Sequence, residues 1–139
     1  MTPEQIRLVQ SSWAALAPSA ERLAELFYMR LFAMDPSLHE LFRGDIAQQG
    51  RKLVKMLDTL VGALDRLDTL LPMLRELGAR HREYGVRPAD YDTFGQALEW
   101  TLQRVLGMEL SPEAEDAWME AYRLFADTMR EPPASSAYA

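Results

Sequence analysis

The chain has 139 residues, of which 48% are hydrophobic and 26% charged, as expected for one globular domain with a buried core. It has no cysteine, which excludes disulfides, and its net charge of −6 without a basic, aromatic-containing stretch argues against nucleic-acid binding. We expect no membrane partner, because no apolar run approaches the roughly 18 residues of a membrane span. The first residues lack the apolar region of a signal peptide, so the expected location is the cytoplasm.

Every segment with regularly spaced apolar residues has the spacing of a helix. No segment shows the alternation of apolar and polar residues that is typical of a strand, so the predicted class is all-α. Thr2 is the expected N-cap of the first helix, with Pro3 at its first position and Gln5 completing a capping box. Proline, glycine or aspartate marks most later boundaries. The predicted helices cover residues 3–16, 20–34, 35–42, 45–64, 68–85, 88–106 and 111–130.

All seven helices are assigned to one domain, residues 1–131, and residues 132–139 are expected to form a disordered tail. The fifth predicted helix starts at Asp68, which would place Pro72 in its first turn, where proline is tolerated. We find no internal repeat and no second domain.

His81 lies on an apolar stripe of that fifth helix. Steps of three and four residues place it on the same face as Leu70, Leu74, Leu77 and Tyr84. A core-facing imidazole needs a polar partner or a metal. His39 is the only other histidine, and no carboxylate cluster suitable for zinc stands nearby in the sequence. A structural role and ligation of a haem iron both remain open at this point.

Two further polar residues are predicted on inward faces. Tyr28 shares a face with Ala24 and Leu31, and Gln49 precedes Leu53 by one turn of its helix. Each alone is typical of a satisfied core residue. Together with His81 they indicate a pocket with one ligating face and one hydrogen-bonding face. Lys52 lies at the edge of the same helix face, where its ammonium group can reach an anion or solvent.

Five segments in order resemble the globin family over about residues 4–130: Leu26-Phe27-Tyr28, Asp35-Pro36 with Leu41-Phe42, the stretch 49–53, the stretch 77–86 around His81, and the stretch 117–122. The chain is similar to bacterial single-domain globins and to the haem domain of flavohaemoglobins. It is also similar to neuroglobin, which has histidine where this chain has Gln49. The resemblance implies a globin fold of about seven helices that sandwich a haem.

The resemblance also implies haem b held by His81 Nε2, with Tyr28 and Gln49 facing the open side of a pentacoordinate or weakly hexacoordinate iron. Lys52 is implied to pair with a haem propionate or to gate the pocket, although a solvated position on the flank of its helix suits it at least as well. The other residues implied to contact haem are Phe42, Leu53, Leu57, Leu77, Val86, Tyr91, Phe94 and Leu98.

Two departures from the flavohaemoglobin pattern concern the support of His81 and the length of the chain. The pattern has a tyrosine and a glutamate behind the histidine; Tyr91 matches the tyrosine, whereas the glutamate position falls near Ser135 and Glu131 comes about one turn too early. The 139 residues leave no room for a flavin and nicotinamide domain, so we expect turnover of nitric oxide to require an external reductase.

Three functions are therefore considered. The first is reversible binding of dioxygen, with carbon monoxide and nitric oxide as further ligands, by a monomer or homodimer. The second is a nitric oxide dioxygenase that works with an external reductase. The third is a haem-free sensor or interaction domain that keeps the globin fold.

Overall fold

The computed structural model describes residues 1–131, and these form helices connected by short turns, without a strand. The predicted tail, residues 132–139, lies outside the described residues. The six α-helices are α1 (Pro3–Leu16), α2 (Ala20–Met34), α3 (Ile46–Gly62), α4 (Leu67–Tyr84), α5 (Asp90–Leu106) and α6 (Pro112–Arg130). The short predicted helix between α2 and α3 is a 3-10 helix (Pro36–Leu41), and two further 3-10 turns are Ala17–Ser19 and Gly107–Glu109. No helix of this part of the chain is long and apolar enough to cross a membrane.

Four helices begin at a side-chain N-cap, at the positions predicted from the sequence. The Thr2 hydroxyl accepts from the Gln5 amide at 3.1 Å and the Gln5 side chain accepts from the Thr2 amide at 2.9 Å, which completes the capping box. Asp35, Asp45 and Ser111 likewise accept from backbone amides in the first turns of their helices. These local bonds fix the start of α1, of the 3-10 helix Pro36–Leu41, of α3 and of α6.

The observed helix boundaries differ from the predicted ones by two residues or less, and three of these differences have a visible local cause. The helix α3 ends at Gly62, because the chain then closes two tight turns onto Leu60 and Val61. The helix α4 starts at Leu67 with Arg66 as its cap, so Pro72 lies in the second turn rather than the first.

The third difference is at the start of α5, which begins at Asp90 rather than Pro88. The carboxylate of Asp90 accepts from the Arg87 amide at 2.8 Å and from the Arg87 guanidinium at 2.9 Å. These bonds hold residues 87–89 in a turn, and the helix starts only after it.

The core is formed where α1 packs on α6, α2 on α3 and α5, and α4 on α6. Two tryptophans join α1 to its neighbours: Trp13 donates to Asp58 and Trp118 donates to Ser12, each at 2.8 Å. Both indoles are buried, so these partners satisfy N–H groups that would otherwise be desolvated without a bond.

One glycine allows α4 to approach α6 closely. A Cβ atom at Gly78 would lie 2.1 Å from the backbone oxygen of Met129, so only glycine fits at this crossing. The crossing is one turn before His81 on the same helix. It therefore sets how deeply that histidine lies in the molecule.

Candidate functional site

A cavity of about 760 Å³ opens between α3 and α4 and is closed at its base by α2, α5 and α6. Its walls are mainly apolar and aromatic, as in most small-molecule sites. All twelve residues that the sequence analysis assigned to the site line this cavity: Tyr28, Phe42, Gln49, Lys52, Leu53, Leu57, Leu77, His81, Val86, Tyr91, Phe94 and Leu98. The fold thus brings together residues that are up to 70 positions apart in the chain.

The His81 imidazole lies on the cavity wall in a defined tautomer. Its Nδ1 is 2.7 Å from the Leu77 carbonyl oxygen, and because a carbonyl only accepts, Nδ1 carries the proton. Burial is the main cause that lowers the pKa of His81, the Leu77 bond opposes it, and Arg80 lowers it further. A neutral ring protonated on Nδ1 leaves the lone pair on Nε2. This atom has no hydrogen-bond partner among residues 1–131.

Tyr28 occupies the opposite wall, and its ring is only 5% exposed. It lies edge-on to Phe42 with ring centroids 5.1 Å apart and is stacked beside Phe32 at 5.9 Å. The phenol donates to the backbone carbonyl of Gln49 at 3.2 Å. Burial raises the pKa of Tyr28 to about 12, so the hydroxyl remains a donor throughout the physiological range.

The Gln49 side chain lines the same wall but is bound at its outer edge. Its Nε2 donates to the Arg43 carbonyl, 3.3 Å away, in the turn before α3. Both donors of this wall, the phenol and the amide, therefore bond to backbone oxygens within the protein. Each would have to exchange that oxygen for a ligand atom in order to bind one in the cavity.

The mouth of the cavity carries an excess of positive charge. Arg43, Lys52 and Arg80 line it, against a single carboxylate, Glu40. Lys52 is exposed and forms no ion pair with a carboxylate of residues 1–131, whereas Arg80 donates to Glu76 at 2.6 Å. Of these three cations, only Lys52 is predicted from the sequence. The positions of the other two, directly after Phe42 and directly before His81, could have indicated them.

Among residues 1–131, no carboxylate supports His81 from behind. The carboxylate of Glu131, the acidic residue closest to the expected position, pairs with Arg75 at 3.3 Å. The Tyr91 phenol is buried without a partner in the described part of the chain, and its ring lies below the Arg130 guanidinium at 5.6 Å. Residues 132–139 contain no acidic residue. The proton on Nδ1 of His81 therefore faces a neutral carbonyl.

Two residues that the sequence pattern singled out lie at or outside the edge of the cavity. Tyr84, predicted on the inward stripe of α4, lies at the mouth and is 65% exposed, because α4 ends there in Gly85. His39 is exposed and stacks on Phe32 with ring centroids 3.7 Å apart. No group of three His, Cys, Asp or Glu side chains within residues 1–131 could hold a metal ion.

Comparison with other proteins identifies the family. The globin family profile matches residues 25–129. A flavohaemoprotein of Halalkalibacterium halodurans is 29% identical over 130 residues, which cover 91% of this chain and 32% of that protein. The neuroglobin of Tetraodon nigroviridis is 26% identical over 136 residues, which cover 88% of this chain and 86% of that protein. The chain thus spans about a third of the flavohaemoproteins that it matches.

Solved structures show the same fold. An engineered carbene transferase, from a putative nitric oxide dioxygenase of Rhodothermus marinus, superimposes with a TM-score of 0.82 at 24% identity and covers 93% of this chain and 90% of its own. A hexacoordinated haem protein from an anhydrobiotic tardigrade reaches a TM-score of 0.84 at 19% identity, over 94% and 93% of the two chains. The all-α globin fold predicted from the sequence is confirmed, and the chain belongs to the globin family.

Proposed function

We propose that this globin binds haem b through His81 Nε2 and binds dioxygen reversibly beside Tyr28 and Gln49. The observation that carries the proposal is the state of His81. A neutral imidazole, with Nδ1 held by a backbone carbonyl and an unshared pair on Nε2, lines an apolar cavity of about 760 Å³. Metal-ligating histidines have this arrangement, in which the second nitrogen fixes the ring by donating a hydrogen bond.

The remainder of the cavity fits the porphyrin in shape and charge. Apolar side chains such as Leu53, Leu57 and Phe94 offer a dry surface to a flat macrocycle. Of the three cations at the mouth, Arg80 is paired with Glu76, whereas the other two can each meet one of the two propionates of haem b. Lys52 and Arg43 are the cations without a carboxylate partner in residues 1–131, and we assign the propionate contacts to them first.

Haem, when bound, supplies the iron at which diatomic gases bind. The protein supplies hydrogen-bond donors on the open side of the cavity. The Tyr28 O–H and the Gln49 N–H can each contribute a hydrogen bond worth about 1 kcal/mol to a polarised ligand such as dioxygen. Two such bonds would slow dissociation by one to two decades. Carbon monoxide and nitric oxide are expected to enter the same space.

The residues of the open side favour a pentacoordinate or weakly hexacoordinate iron. Tyr28 keeps its proton because its pKa is raised to about 12, and a neutral phenol is a poor metal ligand. The amide nitrogen of Gln49 has no free lone pair, and no second histidine lines the cavity. The space opposite His81 is therefore proposed to be available for a gas.

A nitric oxide dioxygenase that works with an external reductase is the second candidate. It is favoured by the flavohaemoprotein relatives and by the Rhodothermus marinus protein described as a putative nitric oxide dioxygenase. The neutral carbonyl behind His81 disfavours a strongly electron-donating histidine. Sustained consumption of nitric oxide with a cellular reductase would support this candidate, and its absence would leave reversible gas binding.

Absorption spectra of the purified protein in the oxidised, reduced and carbon monoxide-bound forms test the first proposal. We expect a Soret band that shifts on reduction and again with carbon monoxide. His81→Ala should abolish or greatly weaken haem retention. His39→Ala is the matched control and should retain haem, because His39 lies outside the cavity. No Soret band after addition of haem would instead favour the haem-free sensor.

A further inference from the structure

Outside the cavity, two unpaired arginines meet at one tryptophan. Trp100, half-buried on α5, has the Arg30 guanidinium of α2 at 5.1 Å from its ring centroid and the Arg104 guanidinium of α5 at 4.9 Å. Neither arginine pairs with a carboxylate of residues 1–131, and Arg30 Nε is buried with no hydrogen-bond partner there. No acidic residue stands three or four positions from either arginine in the sequence.

A cluster of unpaired carboxylates lies on the other side of α5. Glu99 of α5 lies beside Glu115 and Asp116 of α6, and Gln103 donates to Glu115 at 3.1 Å. Burial, followed by the hydrogen bond and the negative charge of Glu115, raises the pKa of Glu99. Within the described chain no arginine or lysine forms an ion pair with these three carboxylates.

The helical repeat places these charges on opposite borders of one face. With about 100° per residue, Trp100 and Gln103 share the exposed strip of α5, Glu99 borders it towards α6, and Arg104 borders it towards α2. The face is therefore basic on its α2 side and acidic on its α6 side. Trp100 stands between the two sides, and the exposed Met29 directly precedes Arg30 on α2.

We propose that this face is a homodimer interface in which two copies pack α5 against α5 around a twofold axis parallel to these helices. Such an axis places the basic side of each copy beside the acidic side of the other, so the contact repeats twice. A twofold axis perpendicular to α5 would place like charges together, and the charge pattern excludes it. Arginine, tryptophan and methionine are also the residue types enriched in the centre of protein interfaces.

Charge reversal tests the interface through the dissociation constant of the dimer, measured by analytical ultracentrifugation. Arg104→Glu and Asp116→Arg, both exposed, should each raise this constant at least tenfold, because the change acts twice in a symmetric dimer. The double variant should return to within about threefold of the wild type, since each copy again meets opposite charges. Arg51→Glu on α3 makes the same charge change outside the face and should have no effect.

Trp100 gives an independent measurement. Trp13 and Trp118 are buried, so quenching of tryptophan fluorescence by acrylamide reports mainly on Trp100 and should decrease on dimerisation. Circular dichroism and thermal unfolding confirm that each variant is folded. A wild-type chain that stays monomeric at millimolar concentration would overturn the proposal. So would a dimer that the two reversals do not weaken, or a double variant no tighter than the weaker single one.

Discussion

The crossing of α4 and α6 at Gly78 gives a strong test of how the fold positions the site. In Gly78→Ala the new Cβ would lie 2.1 Å from the Met129 oxygen and 2.7 Å from its Cα. Both are backbone atoms, so relief requires the helices to separate by about 1 Å. Overpacking of this kind costs about 1–3 kcal/mol, and rigid backbone places the change at the upper end. The higher helix propensity of alanine compared with glycine offsets about 1 kcal/mol of this cost.

The net expectation is a loss of about 2 kcal/mol in the free energy of unfolding, or roughly 4–8 °C in Tm for a domain of this size. Urea and thermal unfolding measure it. The matched control is Gly62→Ala at the end of α3, where an added Cβ meets no atom within 4 Å and the helical backbone favours alanine. If the two variants differed by less than about 0.5 kcal/mol, the close approach of α4 to α6 would be wrong.

Three further outcomes follow from Tyr28 and from the turn before α5. Tyr28→Phe should accelerate dioxygen dissociation about five- to tenfold through loss of one hydrogen bond near 1 kcal/mol, measured by stopped-flow replacement with carbon monoxide; an unchanged rate would remove Tyr28 from the site. The difference in phenolate absorbance between wild type and Tyr28→Phe should rise near pH 12 rather than 10, since the pKa is about 12. Because the fold favours the neutral phenol, the contribution of Tyr28 to the free energy of unfolding is present below pH 10 and is lost as the pH rises towards 12. A phenolate difference titration centred at pH 10 would instead show an exposed phenol. Asp90→Asn should lower the free energy of unfolding, measured with urea, by about 1–3 kcal/mol, since Asp90 is 3% exposed and accepts from the Arg87 amide. Arg87→Ala should lower it less, because that side chain is 66% exposed. Equal losses in the two variants would contradict this order.

The fold was predictable because its signals are local. The cap at Thr2 depends on a residue three positions away, and the apolar spacing around Leu74 depends on one helix alone. The prediction was less accurate at the ends of α3, α4 and α5. At these ends, turn hydrogen bonds such as those of the Asp90 carboxylate compete with the hydrogen bonds of the helix. They also form between neighbouring residues, but the same sequence allows several turn geometries.

The residues of the candidate site were predictable in type and face, but not in their hydrogen bonds. Helical spacing places Tyr28, Gln49 and His81 inward on three different helices, and the cavity includes all of them. That the Gln49 amide bonds to the Arg43 carbonyl depends on the path of the turn before α3. The cations Arg43 and Arg80 join Lys52 at the mouth only because α3 and α4 converge there.

The sequence by itself determined the all-α class, the four helix starts that carry a side-chain cap, and the inward position of His81, since each depends on contacts within one or two turns of helix. The tertiary structure decided the excess positive charge at the mouth of the cavity and the bipolar face around Trp100. These features arise from pairs of residues on different helices, such as Arg30 and Trp100. Their distance is set by how the helices pack, which the spacing within a single helix does not specify.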